Sequence, residues 1–319
     1  MKNEKFGTQQ FLTRFGTILA LVVIIIGFSI FVPGFVNGRN LLNILRQIAL
    51  LAIIAEGFTM CLIVGELDLS FANVASLAGV ISAGLILSGF NPFLSIIISV
   101  SVGIAFGLGA GLLVTKVGIP SLITTLASGI IATGMIFWYT KGISFYGQMP
   151  EGFLFLGRGS IFGIPMLVII MLIIVIAANI LINKTKTGKY MQATGANKNA
   201  ARLAGVNTDL YKILALALSG TAAAFTGVLL TSKLGAANPE GAAGFMMDAF
   251  AAALLGETVL SVGRASPFGT FVGALMIGVL TNGMTLAGAP YYMQDITKGS
   301  IIILSVTITM IQAKRLESN

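Results

Sequence analysis

Residues 48–65 read IALLAIIAEGFTMCLIVG. Eighteen residues hold one acid and no other charge. The run lacks the apolar/polar alternation of a half-buried strand. As a helix it would extend about 27 Å, close to the hydrocarbon thickness of a bilayer. A soluble core helix of that length would show a polar face, and this one shows none. Working outward, nine further apolar runs lie between Pro, Gly and polar breakers at 15–32, 71–89, 93–115, 119–139, 162–182, 213–232, 245–258, 267–287 and 296–313. The run 245–258 is short for a full crossing and contains Asp248, which suggests a broken or partly immersed helix. Barrel strands would alternate and stop after about ten residues. The expectation is an all-α, polytopic membrane helical bundle of about ten transmembrane helices, forming one domain over 1–319.

Composition agrees. Hydrophobic residues make up 56% of the chain and charged residues 9%, against about a quarter charged in a soluble domain. So few charges cannot cover a water-facing surface, and the apolar content excludes disorder. The net charge of +8 is not a nucleic-acid signal, because membrane proteins concentrate Lys and Arg in cytoplasmic loops. With the N-terminus inside and ten crossings, thirteen of the nineteen Lys and Arg fall on the inner side and six on the outer. Both termini are therefore expected in the cytoplasm. The loop 183–212 carries much of this bias. The basic N-terminal stretch is read as leading into the first span rather than as a cleaved signal.

Few residues offer chemistry. The chain has no histidine and a single cysteine, Cys61, set in an apolar run. No G-x-x-x-x-G-K-[ST] occurs, since Gly188-Lys189 is followed by Tyr190. Nothing reads as an enzyme, a metal centre or a resident cofactor site. Glu56 sits in the middle of the opening run. A buried ionisable group is costly, so it either lines a polar path or hydrogen-bonds a neighbouring helix. Asp68 and Ser70 are N-cap types ahead of an apolar helix. Gly65-Glu66-Leu67-Asp68-Leu69-Ser70 and Gly256-Glu257-Thr258-Val259-Leu260-Ser261 share G-E-x-x-L-S, a trace of internal duplication at most. Gly103, Gly107 and Gly111, and later Gly269 and Gly273, recur at four-residue spacing and predict close helix approach. In 183–212, Asn197 can cap a short helix, Lys198 to Ala204, that Gly205 would end. Such a helix is marginal alone in water. It docks on another protein or lies on lipid headgroups.

Several stretches together resemble the permease subunits of ribose-type monosaccharide ABC importers. They are Asn40-Leu41-Leu42-Asn43-Ile44-Leu45-Arg46-Gln47, Gly65 to Ser70, Ile119-Pro120-Ser121 with Thr124-Thr125-Leu126, Thr187-Gly188-Lys189, Ala193-x-Gly195-x-Asn197, Ala200 to Gly205, Ala252-Ala253-x-Leu255-Gly256 and Asn282-Gly283-Met284. The resemblance covers nearly the whole chain. It implies a permease in a bacterial inner membrane, importing a sugar or sugar-like solute by alternating access. It implies a second permease subunit, identical or not, an extracytoplasmic solute-binding protein, and separate ATPase subunits that bind the ATP. Gly188, Gly195, Asn197, Arg202 and Gly205 would form the ATPase-coupling loop. Glu56, Asp68, Asn73 and Asn282 are candidates for the translocation path. The chain departs from the family at Glu66, where G-G-I-D-L-S has glycine, and over Gly256 to Ala265, where three glycines are lost. The residues alone also admit an ion-gradient-driven secondary transporter with Glu56 and Asp68 as coupling carboxylates, or a structural or sensory subunit.

Overall fold

The computed structural model describes residues 8–259 and 263–317. Helices lie over all ten apolar runs: α1 (Thr8–Phe31), α2 (Gly38–Ile63), α3 (Phe71–Leu87), α4 (Pro92–Leu112, continued by a π-helical turn over Leu113–Val117), α5 (Ser121–Thr140), α7 (Met166–Lys184), α10 (Thr208–Leu234), α11 (Phe245–Gly256), α12 (Pro267–Leu286) and α13 (Tyr291–Glu317). Three short helices join them: α6 (Glu151–Arg158), α8 (Lys186–Ala196) and α9 (Lys198–Leu203). Among the described residues, six helices are long and apolar enough to cross a membrane, and α3, α11 and the Gly16–Phe31 part of α1 are shorter apolar helices. Four two-residue strands pair as β1 (Phe145–Tyr146) with β4 (Ala236–Ala237) and β2 (Ser160–Ile161) with β3 (Ile164–Pro165).

Helices α2 and α10 occupy the middle of the bundle. Most of α2 from Ile48 to Ile63 is buried, Cys61 included. The small-residue spacing explains how α4 meets α10. A methyl group on Gly103 would lie 2.3 Å from the Gly220 carbonyl, and one on Gly107 would lie 2.3 Å from that of Leu216. Helix α11 meets α12 in the same way, with Gly273 against the Ala252 carbonyl. Phe250 of α11 also packs on Phe58 of α2, with ring centroids 4.4 Å apart. Without a hydrophobic drive between helices in lipid, such close backbone approach is the principal source of association.

Four contacts, two at each end, sort the chain into two ends. At one, Leu67 N–H bonds Ser121 Oγ and Lys212 pairs with Glu66. At the other, Asn40 exchanges amide hydrogen bonds with Asn282, and the Arg158 guanidinium donates to the carbonyls of Lys233 and Leu234. The short run at 245–258 resolves as a 12-residue helix preceded by a non-helical stretch, about 18 Å long and too short for a full crossing by itself. That stretch does not stay at the rim. Ala242 N–H bonds Ser76 Oγ, less than two turns from the start of α3.

Candidate functional site

The polar loop 183–212 holds two helices where one was expected. Thr185 caps α8, accepting from Gly188 N–H at 3.1 Å. Asn197 ends α8 and caps α9, its Oδ1 accepting from Ala200 N–H at 3.0 Å. Gly205, at φ +83°, closes α9. Its N–H bonds the Arg202 carbonyl, and Val206 N–H bonds that of Ala201, so the last carbonyls are satisfied in a Schellman turn. Asn207 then caps α10. The helix signals were legible, but the extra turns of α8 have low apolar content and showed no periodicity.

This elbow is fixed to the bundle by small residues and charges. Gly188 folds α8 onto the end of α7, where an added methyl would strike the Leu181 and Ile182 carbonyls. Gly195 sits on the end of α2, its virtual methyl 2.1 Å from the Ile63 carbonyl. Arg202 bridges α9 to α10, with Nε on Thr208 Oγ1 at 2.8 Å and a terminal nitrogen on Asp209 at 2.5 Å. The acid that departs from the family pattern, Glu66, pairs with Lys212 on α10, both side chains nearly enclosed. Lys212, followed by partial desolvation and Arg202, pushes Lys198 below the usual lysine range. What faces outward is the tip of α9, where Leu203 is 91% exposed.

The four path candidates do not meet in one place. Asp68 is buried, and its oxygens accept from Ser70 N–H, Ser70 Oγ and Ser219 Oγ at 2.6–2.8 Å. It anchors the turn before α3 to α10, and the cap expected from residue type is not formed: Ser70 holds the N-cap position of α3 without a side-chain cap bond, its hydroxyl donating to Asp68 instead. Asn73 donates to Gly129 O and Thr133 Oγ1 on α5. Asn282 is tied to Asn40 at the opposite end. Glu56 is 1% exposed, and among the described residues neither of its oxygens has a hydrogen-bond partner. Glu257 is half-buried at the end of α11, while Leu260 and Ser261 of the G-E-x-x-L-S repeat lie outside the described residues.

A cavity of about 670 Å³ opens at the Asn40–Asn282 end. None of the four candidates lines it. Its walls come from α2, the end of α10, α11 and the stretch before it, α12 and α13, with Gln47, Lys233, Asp248, Thr281, Asp295 and Lys298 as the polar lining. Asp248 and Lys298 form an ion pair at 2.8 Å. Asp248 carried a signal in the sequence, as an acid within a short apolar run, and Gln47 closes the Asn40–Gln47 stretch that carries the resemblance. The rest come together from helices distant in the chain.

The family model for branched-chain amino acid transport system / permease component matches residues 40–306. The ribose import permease protein of Bacillus subtilis (strain 168) is 35% identical over 316 residues, covering 97% of this chain and 98% of the relative. Its counterpart in Escherichia coli (strain K12) is 32% identical, covering 97% of each. The D-allose transport system permease protein of the same strain is 31% identical over 98% of this chain and 96% of its own length. No solved structure matches the chain. The L-arabinose ABC transporter permease protein of Azospirillum brasilense is 32% identical over 94% of this chain and 88% of its own length, so the ion-gradient-driven alternative drops out. A match over most of the residues and relatives above 30% identity along nearly the full length lead to one conclusion: this chain belongs to the family of transport-system permease components, within its ribose-permease-like members.

Proposed function

We propose that this chain is the membrane pathway subunit of an ATP-driven importer for a sugar or sugar-like solute. It carries out no covalent step. ATP is hydrolysed on separate ATPase subunits, an extracytoplasmic binding protein delivers the solute, and a second permease subunit, a copy or a homologue, completes the path. The chain crosses a bacterial inner membrane ten times, and both termini and the α8–α9 elbow face the cytoplasm. The thirteen-to-six distribution of Lys and Arg supports that orientation.

The observation that carries the reading is the elbow itself. A six-residue helix has no stability of its own, yet α9 is capped at both ends and tied to α10 through Arg202. It presents Leu203 to solvent. A rigid apolar tip on a basic loop suits docking on a partner better than lying flat on headgroups. In this reading Gly188 and Gly195 seat the lever, Asn197 and Gly205 shape its tip, and Arg202 transmits its movement to α10. Glu56 is proposed as the ionisable residue of the path, since its carboxyl is enclosed and among the described residues has no hydrogen-bond partner.

Gly205→Val tests the coupling role, because a β-branched residue tolerates φ +83° poorly. The elbow lies outside the bundle, so the variant should insert and assemble. In the reconstituted complex, uptake and the ATP hydrolysis stimulated by loaded binding protein should both fall sharply. Normal values for both in a fully assembled variant would leave α9 as a headgroup anchor.

A further inference from the structure

Four charged side chains line the cavity of about 670 Å³, and they are unequally matched. Asp248 of α11 holds Lys298 of α13 at 2.8 Å, and both side chains are largely enclosed. Lys233 of α10 and Asp295 of α13 face the same cavity. Among the described residues, neither forms an ion pair.

A second matching of the same four charges is available. Asp295 lies three residues before Lys298 on α13, a spacing at which an acid and a lysine meet on one helix face. Lys233 shares the cavity with Asp248, and a lysine head travels several ångströms about its four-carbon stem. The two matchings tie different helices together. In the present one, Asp248 joins α11 to α13. In the other, Asp248 joins α11 to α10, and Lys298 turns back onto its own helix.

The exchange never strands the enclosed carboxylate. Asp248 keeps a cation in both positions, which avoids the heavy cost of a buried pair broken on one side. The opposing terms are separate in kind. The second matching gains an ion pair, whereas the first keeps α13 packed on α11 and α12. Helix α13 leaves Ile296, Ile303 and Leu304 exposed on its other side, so it can shift without pushing against a further helix among the described residues. Two arrangements that trade packing for pairing make an element with two positions rather than a continuous range.

We propose that these four residues form an ion-pair exchange that latches α13 over the cavity. The latch is closed through Asp248–Lys298 and released through Asp248–Lys233 with Asp295–Lys298. The exchange goes beyond the importer reading and does not rest on it, since neither solute nor ATP enters it.

The test measures distance in the full chain, held in lipid nanodiscs without solute or ATP. Spin labels are placed at Trp138→Cys on α5 and Tyr292→Cys on α13, both exposed positions. The native Cys61 is buried and stays unlabelled. Pulsed dipolar spectroscopy should show a second, longer distance beside the one the structure gives. Lys233→Gln and Asp295→Asn are the decisive variants. Neither breaks an ion pair present among the described residues, so both should fold as the parent does. The longer distance should lose population about fivefold in Lys233→Gln, the effect of one partly enclosed pair. It should lose about twofold in Asp295→Asn, the effect of one pair along a helix. Lys298→Gln should enrich it, because the pair removed from the closed position is the enclosed one. A simple tie between α11 and α13 would respond to Lys298→Gln alone. Unchanged populations in Lys233→Gln and Asp295→Asn therefore overturn the exchange, as does a single distance in both the parent and Lys298→Gln.

Discussion

Gly195→Ala puts the seating of the elbow under direct strain. The added methyl would lie 2.1 Å from the Ile63 carbonyl oxygen, 3.0 Å from its carbon and 3.2 Å from the Val64 carbon. All three are backbone atoms at the end of α2, so no side chain can rotate away. Restoring an ordinary contact of about 3.5 Å requires the two backbones to part by roughly 1.4 Å. Insertion of a methyl into a closed contact costs about 1–3 kcal/mol. Applied to the equilibrium between seated and unseated α8, that is about a 5- to 150-fold shift. The fold itself should survive, because the contact lies at one end of α2. Expected in the reconstituted complex is ATP hydrolysis that no longer responds to loaded binding protein, with uptake reduced at least fivefold. Gly109→Ala is the control: nothing lies within 4 Å of its added methyl, and alanine is the better helix former. A Gly195→Ala transporter with the same stimulated hydrolysis and uptake as Gly109→Ala would refute the claim that the elbow must sit on α2.

Glu66→Gln leaves the Lys212 ammonium enclosed without its carboxylate, and the loss should approach 3 kcal/mol in a thermal or denaturant assay. The double change Glu66→Gln with Lys212→Met should recover most of it; no recovery would show that the pair is not the cause. Glu56→Gln should leave assembly and thermal stability unchanged, since neither oxygen serves a bond among the described residues, while altering uptake kinetics; unchanged kinetics would remove Glu56 from the path. Lys198→Gln should stabilise the elbow slightly at low salt by relieving repulsion from Lys212. Because the folded state lowers the Lys198 pKa, the repulsion is present below that pKa and disappears as pH rises through it, so the benefit should vanish at high pH and be screened by salt. Reporter fusions after Glu317 and near residue 150 should report opposite sides of the membrane, and the same side would break the ten-span map.

The sequence made the bundle legible because a helix in lipid must be apolar along its whole length, and each run announces itself without reference to its neighbours. The caps Asn197 and Gly205 were readable for a similar reason, since helix ends are satisfied locally. The Gly103–Gly107–Gly111 series announced a close contact but could not name α10 as its partner. The cavity was opaque. Gln47, Asp248, Thr281 and Lys298 stand on four helices, and neither the acid in a short apolar run at Asp248 nor the family-like stretch ending at Gln47 says that they meet. Asp68 and Asn73 resembled path residues because polar groups in apolar runs attract that reading. Their hydrogen-bond partners, Ser219 and Thr133, lie 151 and 60 residues away in the chain, and only packing reveals them. Glu66 was visible as a departure from a family glycine, and its meaning waited on Lys212, 146 residues away.

That separation has a consequence for synthesis. Helix α10 is the late-made partner of α2, α3 and α4, and it completes their seams through Gly220, Ser219 and Lys212. A ribosome adding about 5–20 residues per second needs roughly 7–30 s to pass from Glu66 to Lys212. Throughout that interval the first helices stand in the membrane with Glu66 and Asp68 lacking their α10 partners and with glycine grooves unfilled. The nascent chain is then open to membrane proteases and chaperones, and the arrival of residue 234 closes that window.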